Sequence, residues 1–398
     1  MKSLSVSAVL FVLAAGCTDT PEDDADLLPD VVGVDGKADG SAWSREVVGP
    51  NASVWNGGPQ EFGAGTSIGV RSNGQPIIAF YDASYLCNNG GFGTYSSDAL
   101  MTAQIKNAAW TRTIEACGPT NGYWPRLRID AMDRMHVLFA RGWASGQQST
   151  TYLRKNAAGT RDVWNPYLAS DYMSTDPLAM TLDASGEPIM FISGQLVSPN
   201  AAMTSSTKTP IFDGSASRAF VERDTTGKLH FVGMPFVPDS PTMSTARMRY
   251  ASRVGTTVAV EIVRTENRAQ PLGLVLDSAN RPHIVSWNPG TTGQGELWHS
   301  TKTASGWVDD LVASDVPAQV ALTISHDELL VVTPGKLFRR APTATTWTAS
   351  VASVLSSAKH LSAVVAADGT LHVAFQVVGA TRSNRSAPAP VYHASVRL

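Results

Sequence analysis

One pattern occurs seven times along this chain and limits what the chain can become: an alternating apolar run, a short polar turn, and a second apolar run. The copies are Ile68–Tyr81 (IGVRSNGQPIIAFY), Leu127–Phe139 (LRIDAMDRMHVLF), Met180–Ile192 (MTLDASGEPIMFI), Phe220–Val232 (FVERDTTGKLHFV), Leu274–Trp287 (LVLDSANRPHIVSW), Leu322–Val332 (LTISHDELLVV) and Ala363–Phe375 (AVVAADGTLHVAF). Period-two alternation rich in β-branched residues specifies strands, and the Asp, Asn and Gly between the runs specify tight turns. The residue that follows each turn falls at positions 76, 135, 188, 229, 282, 329 and 371, a spacing of 41 to 59 residues. A lone hairpin cannot bury an apolar face, so units repeating at this interval must stack on one another.

Most hairpins are followed by a second pair of runs, as in Leu100–Ile114, Tyr152–Leu168, Met248–Val263, Leu297–Val312 and Leu337–Val351. Each unit is therefore four antiparallel strands, lettered a to d in chain order. In the third unit the outer pair is expected within about 201–214. The seventh unit has strands a and b and a third run, Val391–Val396, with Leu398 two residues further on. Its fourth strand is expected at the opposite end of the body, where Ala42–Val48 (AWSREVV) matches the strand-d patterns AWTRTIEA, GWVDDLVA and TWTASVAS. A ring closed in this way hides two sheet edges. The expected fold is all-β: a seven-bladed β-propeller of four-stranded antiparallel blades over residues 42–398, closed by an N-terminal outer strand that completes the last blade. Stacked repeats also explain how 398 residues escape the ceiling of roughly 250–300 residues on a single core.

In its repeat and hairpin style the body resembles secreted bacterial seven-bladed β-propellers, and loosely their sialidase-type (BNR-like) members. Those carry an Asp box, S-x-D-x-G-x-T-W, at the c–d turn. Here the corresponding turns read STKTASGW (Ser300–Trp307) and KNAAW (Lys106–Trp110), which keep Gly or Trp in places but lack the Asp. The resemblance implies the fold and not sialidase chemistry.

The first residues read as a targeting segment. Lys2 supplies the positive start, and Leu4 to Leu13 form an apolar stretch too short to span a bilayer. The sequence Leu13-Ala14-Ala15-Gly16-Cys17 resembles a bacterial lipobox, which implies a signal peptide over 1–17 and a lipid anchor at Cys17. Thr18 after that Cys implies sorting to the outer membrane. Residues 18–41 hold eight acids against Lys37 alone, the composition of a disordered tether. The acidity thus belongs to the tether, and a formal net charge of −3 argues against a nucleic-acid partner. The expected location is the cell envelope.

The remaining cysteines, Cys87 and Cys117, invite one disulfide in an oxidising compartment. Four histidines, His136, His230, His283 and His372, share one strand-b position, while His299 and His393 share a strand-c position. Residues that recur in separate blades sit far apart around a ring, so these are read as sheet histidines bonded locally. No metal-ligand spacing, nucleophile elbow or phosphate loop occurs, and neither a metal nor a cofactor is expected. Trp43, Trp110, Trp164, Trp307 and Trp347 all open a strand d, where a large ring can cover the blade edge. Asp130, Asp183 and Asp277 end a strand a and are read as caps of the following turn.

In a propeller the b–c and d–a connections emerge on one face and the a–b and c–d turns on the other. The long segments 82–97, 141–149, 235–246, 288–295, 378–389, 116–125, 170–177 and 264–271 all belong to the first set. Long irregular connections on a rigid scaffold are where function concentrates. Cys87 and Cys117 fall on that face in adjoining connections. So do the aromatics that do not repeat and the arginines near them, and the candidate ligand-binding set is Tyr85, Tyr123, Trp124, Arg126, Arg141, Trp143, Tyr172 and Trp287. Aromatic faces stack on sugars or peptide side chains, and Arg directs hydrogen bonds to carboxylates. The expectation is a binding module that recognises a glycan or an envelope protein. A carbohydrate-active hydrolase or lyase and a structural scaffold of an envelope assembly are the alternatives.

Overall fold

A computed structural model describes residues 43–49, 65–82, 99–117, 121–142, 148–156, 158–169, 178–200, 203, 205–235, 247–264, 269–290, 293–377 and 390–398. They form seven four-stranded antiparallel sheets, each hydrogen-bonded in the order a-b-c-d. Blade 1 comprises Thr66–Val70, Pro76–Asp82, Ala99–Lys106 and Ala109–Cys117. Blade 2 comprises Asn121–Ile129, Met135–Gly142, Gln148–Lys155 and Arg161–Ala169. Blade 3 is made of Leu178–Leu182, Pro188–Ile192, Gln195–Pro199 and Ser206–Pro210. Blade 4 is made of Ala216–Arg223, Leu229–Pro235, Arg249–Val254 and Thr257–Ile262. Gln270–Leu276, Pro282–Pro289, Gly295–Thr303 and Gly306–Val316 build blade 5. Ala321–Ser325, Glu328–Thr333, Gly335–Arg340 and Thr348–Ala352 build blade 6. Blade 7 takes Ala358–Val365, Thr370–Val377 and Val391–Arg397 from the C-terminal end and Ser44–Gly49 from the N-terminal side. The inner strands touch in succession and 7a meets 1a, so the ring is closed.

The closing strand pairs antiparallel with 7c, from Ser44 opposite Ser395 to Gly49 opposite Val391. It therefore enters at the side of the short turns and leaves at the side of the long connections. Blade 3 departs from its expected layout. Its outer pair lies at 195–199 and 206–210 because Ser193 and Gly194, with φ of 48° and 85°, reverse the chain straight after strand b. Only glycine fits at 194, where a Cβ would lie 2.5 Å from the Gly214 carbonyl oxygen.

Each seam between blades has its own apolar core. Between blades 1 and 2 it is Ile77, Leu100, Leu127, Val137, Phe139 and Leu153. Between blades 6 and 7 it is Trp43, Leu330, Leu337, Leu371, Val373 and Phe375. Alternation along the strands sends successive side chains to opposite seams, which is why the period-two signal is strong here.

Polar chains run outward across several blades. Asp130, Asp183, Asp224 and Asp277 each cap the a–b turn by accepting two backbone N–H bonds through Oδ1. In blades 2, 4 and 5 the other oxygen meets the strand-b histidine: Asp130–His136, Asp224–His230 and Asp277–His283 at 3.2–3.3 Å. Their Nδ1 atoms continue to Tyr152, Tyr250 and His299 of strand c at 2.7, 2.7 and 3.0 Å. The strand-d tryptophans bridge seams. Trp110, Trp307 and Trp347 donate Nε1–H to Glu46, Glu261 and Asp310 of the preceding blade at 2.7, 3.2 and 2.6 Å. Their rings pack on His393, Tyr250 and His299 of the same blade at 5.2, 5.1 and 5.6 Å.

These networks predict acid sensitivity. Burial holds His283 down at about 4, helped by its neighbour His299, and His372 beside His393 is held at about 4 in the same way. The unfolded value is near 6.5, so protons bind the unfolded chain first. The stability is complete above pH 6.5 and is lost as pH falls from there towards 4. Each pH unit in that window removes at most about 1.4 kcal/mol per histidine. Urea midpoints should therefore drop progressively between pH 6.5 and 4.5, and a flat profile there would contradict neutral buried histidines.

Candidate functional site

The inner strands enclose a central channel with a cavity of about 380 Å³, walled by all seven blades. Its polar residues lie at two levels. Towards the short turns, the Arg128 guanidinium (strand 2a) donates to Glu222 (strand 4a) at 2.9 Å. Burial pushes the Glu222 carboxyl up, against the pull of Arg128 and of Thr181 from the blade between them. Glu222 is the only carboxylate in the seven inner strands. Paired with Arg128, it gives this level of the channel a dipole and no net charge.

The second level is the mouth on the long-connection face. Strands 2a, 4a and 7a each carry a β-bulge at the same register, and the extra residue lies in the left-handed region: Trp124 at φ 49°, Arg218 at 50° and His360 at 52°. A non-glycine residue held there costs about 1 kcal/mol or more. Bulges re-aim side chains and gather at barrel rims. Neighbouring blades fasten the bulges of blades 7 and 2. The His360 carbonyl accepts from Thr66 Oγ1 at 2.5 Å and its N–H donates to Gln319 Oε1 at 2.8 Å. Arg126 Nε donates to the Leu178 carbonyl at 2.9 Å.

The candidate residues separate clearly. Tyr123 is half-buried at the start of strand 2a, 4.5 Å between ring centroids from buried Tyr81, whose hydroxyl donates to that of Tyr123 at 3.3 Å. Arg141 is half-buried at the loop-side end of strand 2b, opposite Asn121, and Arg126 is half-buried in the middle of strand 2a, opposite Leu138. The structure thus gathers Tyr123, Arg126 and Arg141 on blade 2. Trp124 and Trp287, expected on the surface, are buried instead, each 8% exposed. Trp124 packs with Leu138, Leu178 and Met190 in the seam to blade 3. Trp287 lies in the seam to blade 6 and donates Nε1–H to the Val316 carbonyl at 2.9 Å. Its ring rests on Gly295, where a Cβ would come within 2.6 Å of Nε1. Tyr85, Trp143, Tyr172, Cys87 and the anchor residue Cys17 lie outside the described residues. Arg128, Arg218, Glu222, Lys359 and His360 escaped sequence reasoning. The basic residues among a chain's apolar inner strands were the one available signal.

Among the described residues no group of His, Cys, Asp and Glu is placed to hold a metal. The short-turn face is sewn from blade to blade. Ser72 bonds Asp133 at 2.6–2.7 Å, Thr225 bonds Asn280 at 3.1–3.2 Å, and Ser278 bonds Asp327 at 2.5–2.7 Å.

No protein-family model matches the chain, and no characterised protein sequence does either. Solved structures do show the same fold. The GH93 α-L-arabinofuranosidase of Fusarium graminearum is 10% identical, with a TM-score of 0.52 over 87% of this chain and 97% of that one. A PL25 ulvan lyase is 9% identical, with a TM-score of 0.52 over 88% and 93%. The polysaccharide lyase Uly1 is 10% identical, with a TM-score of 0.50 over 83% and 89%.

Proposed function

We propose that this protein is a binding module held at the cell envelope by a lipid at Cys17, recognising a glycan or an envelope protein with its long-connection face. The asymmetry of the two faces carries this reading: one is sewn from turn to turn, while the other carries the long connections and the channel mouth. A ring so fixed presents its loops at low entropic cost. The half-buried Tyr123 and the arginines Arg126 and Arg141 supply stacking area and directional donors there. A Cys87–Cys117 bridge belongs to the same proposal. Cys117 ends strand 1d on that face, and Cys87 is the cysteine of the adjoining connection.

A second reading, a carbohydrate-active hydrolase or lyase, draws on the Tyr81–Tyr123 phenol pair. Solved propellers of similar fold include enzymes of both kinds. A hydrolase that works through two carboxylates about 5–10 Å apart would need both outside the inner strands or one beside Glu222, which favours binding over hydrolysis.

The test is a glycan array followed by a pull-down of envelope proteins with the purified protein. Saturable binding is expected, weakened at least tenfold by Tyr123→Ala, with circular dichroism showing the ring still folded. Turnover of a bound sugar would move the enzyme reading to first place. A folded protein that captures neither glycan nor protein would end the binding reading.

A further inference from the structure

Each blade ends in an outer strand whose free edge could pair with another strand, and most of these edges are blunted by charge, proline or a bulge. Strand 1d carries Arg112 and a bulge, 2d Pro166 and a bulge, 3d Lys208 and Pro210, 5d Asp309 and Asp310 with bulges, and 7d Arg45 and a bulge. Strand 6d is neutral but has five residues, with Val351 as its one large apolar side chain. Strand 4d, Thr257–Ile262 (TVAVEI), differs from all of these. Its register with 4c is unbroken, it holds neither proline nor a basic residue, and four of its six residues are β-branched. Its one charge, Glu261, is taken by Lys302 and Trp307 of blade 5.

The side of 4d that faces blade 3 is bare. Val258 packs against the cluster of Phe231 and Ala251. By alternation Val260 and Ile262 share its face, but they are 45% and 43% exposed. In blades 1 and 5 the pair next to the c–d turn holds Trp110 and Trp307; in blade 4 it holds Val258, so no indole sits there to cover the row. With Val254 at the turn, 63% exposed, this hairpin carries three of the ten large apolar side chains exposed among the described residues.

The free backbone groups lie on the same row. The two-residue turn at Gly255 and Thr256 makes Val254 and Thr257 a hydrogen-bonded pair, and alternation then commits Thr257, Ala259 and Glu261 to strand 4c. The N–H and C=O groups of Val258, Val260 and Ile262 therefore point away from the sheet. We propose that a second copy of this chain occupies this edge, strand 4d pairing antiparallel with its counterpart about a two-fold axis at Val260. That register is self-complementary. Val260 meets the second copy's Val260, Val258 meets its Ile262, and each Glu261 falls opposite Ala259, so like charges never face one another. All three outward residues exchange both backbone bonds, and two four-stranded blades become one continuous sheet. A strand of unrelated sequence would match neither the apolar row nor the placement of the one charge. So short a contact gives a weak, reversible dimer, with Kd on the order of 10–100 μM. The proposal is independent of any ligand on the long-connection face.

The experiment is sedimentation velocity of the purified protein over a concentration series that spans this range, with amide hydrogen exchange of residues 255–263 followed through the same series. A monomer–dimer equilibrium is expected, and exchange at Val258, Val260 and Ile262 should slow as the dimer forms. Val260→Lys sets like charges against each other at the two-fold axis and should weaken association at least about tenfold. Position 260 is exposed, so circular dichroism should show the ring of this variant still folded. Val308→Lys, at an exposed position of strand 5d, should leave the equilibrium as it is. A monomer at every concentration overturns the proposal, whatever else binds this edge. So does a dimer that survives Val260→Lys, one that Val308→Lys weakens equally, or one whose formation leaves the three amides exchanging as before.

Discussion

Deleting residues 43–49 is expected to abolish the soluble monomer. The strand they form gives Trp43, 5% exposed, to the seam between blades 6 and 7, and Val48, 4% exposed, to the seam between blades 7 and 1. Arg45 lays its guanidinium 3.9 Å from the centroid of Tyr392 and donates to the Val354 carbonyl at 3.4 Å. Glu46 receives the Trp110 indole N–H from blade 1. Truncating one buried Trp costs about 3–5 kcal/mol, and the deletion also strips a full backbone ladder from strand 7c. The sum approaches the whole stability of a typical domain, about 5–15 kcal/mol, and leaves a bare sheet edge. Size-exclusion chromatography with light scattering should show oligomers or aggregate, and a synthetic peptide of residues 43–49 should restore part of the monomer. A deletion that yields a monomer of unchanged melting temperature would mean that the ring does not depend on this strand.

Asp310→Ala should be the most damaging single polar substitution. Its carboxylate accepts from His299 Nδ1 at 2.9 Å, from Trp347 Nε1 at 2.6 Å, and from Arg340. Burial works against ionisation there, but the bonds from His299 and Trp347 outweigh it and hold the carboxyl below its ordinary range. Alanine leaves three donors at the seam between blades 5 and 6 without their acceptor. At about 1–3 kcal/mol per stranded group, partly relieved by water at this half-buried site, the cost should be about 3 kcal/mol. That corresponds to a fall in Tm on the order of 4 °C for a ring this large. Asp310→Asn, which keeps one acceptor oxygen, should lose about half as much. Calorimetry in which the two substitutions are equal, or both silent, would show that the network carries no stability.

The hairpins and the closing strand were legible because both rest on local signals: alternation, turn chemistry, and a Trp-led strand that recurs. The same locality explains the misses. Trp110, Trp307 and Trp347 could be placed at the start of strand d, but their acceptors Glu46, Glu261 and Asp310 belong to another blade, and no spacing announces them. Asp224 plays the part of Asp130 and Asp277, and its turn, Asp-Thr-Thr-Gly, has the same pattern as the Asp-Ala-Ser-Gly turn of Asp183. Blade 3 was misplaced because Ser193-Gly194 is a complete turn in two residues. Trp124 and Trp287 read as surface residues in the sequence because each borders a long connection. Their fate was decided by a bulge and by Gly295, both products of tertiary packing.

The direction of the closing strand has one more consequence. Ser44 lies opposite Ser395 and Gly49 opposite Val391, so the polypeptide comes in from the side of the short turns, and strand 7c also runs out towards that side at Leu398. The ring is thus polar: Ser44, where its closing strand begins, and Leu398 both lie on its sewn face. A label joined at Ser44 or at Leu398 would therefore mark the sewn face, opposite the channel mouth.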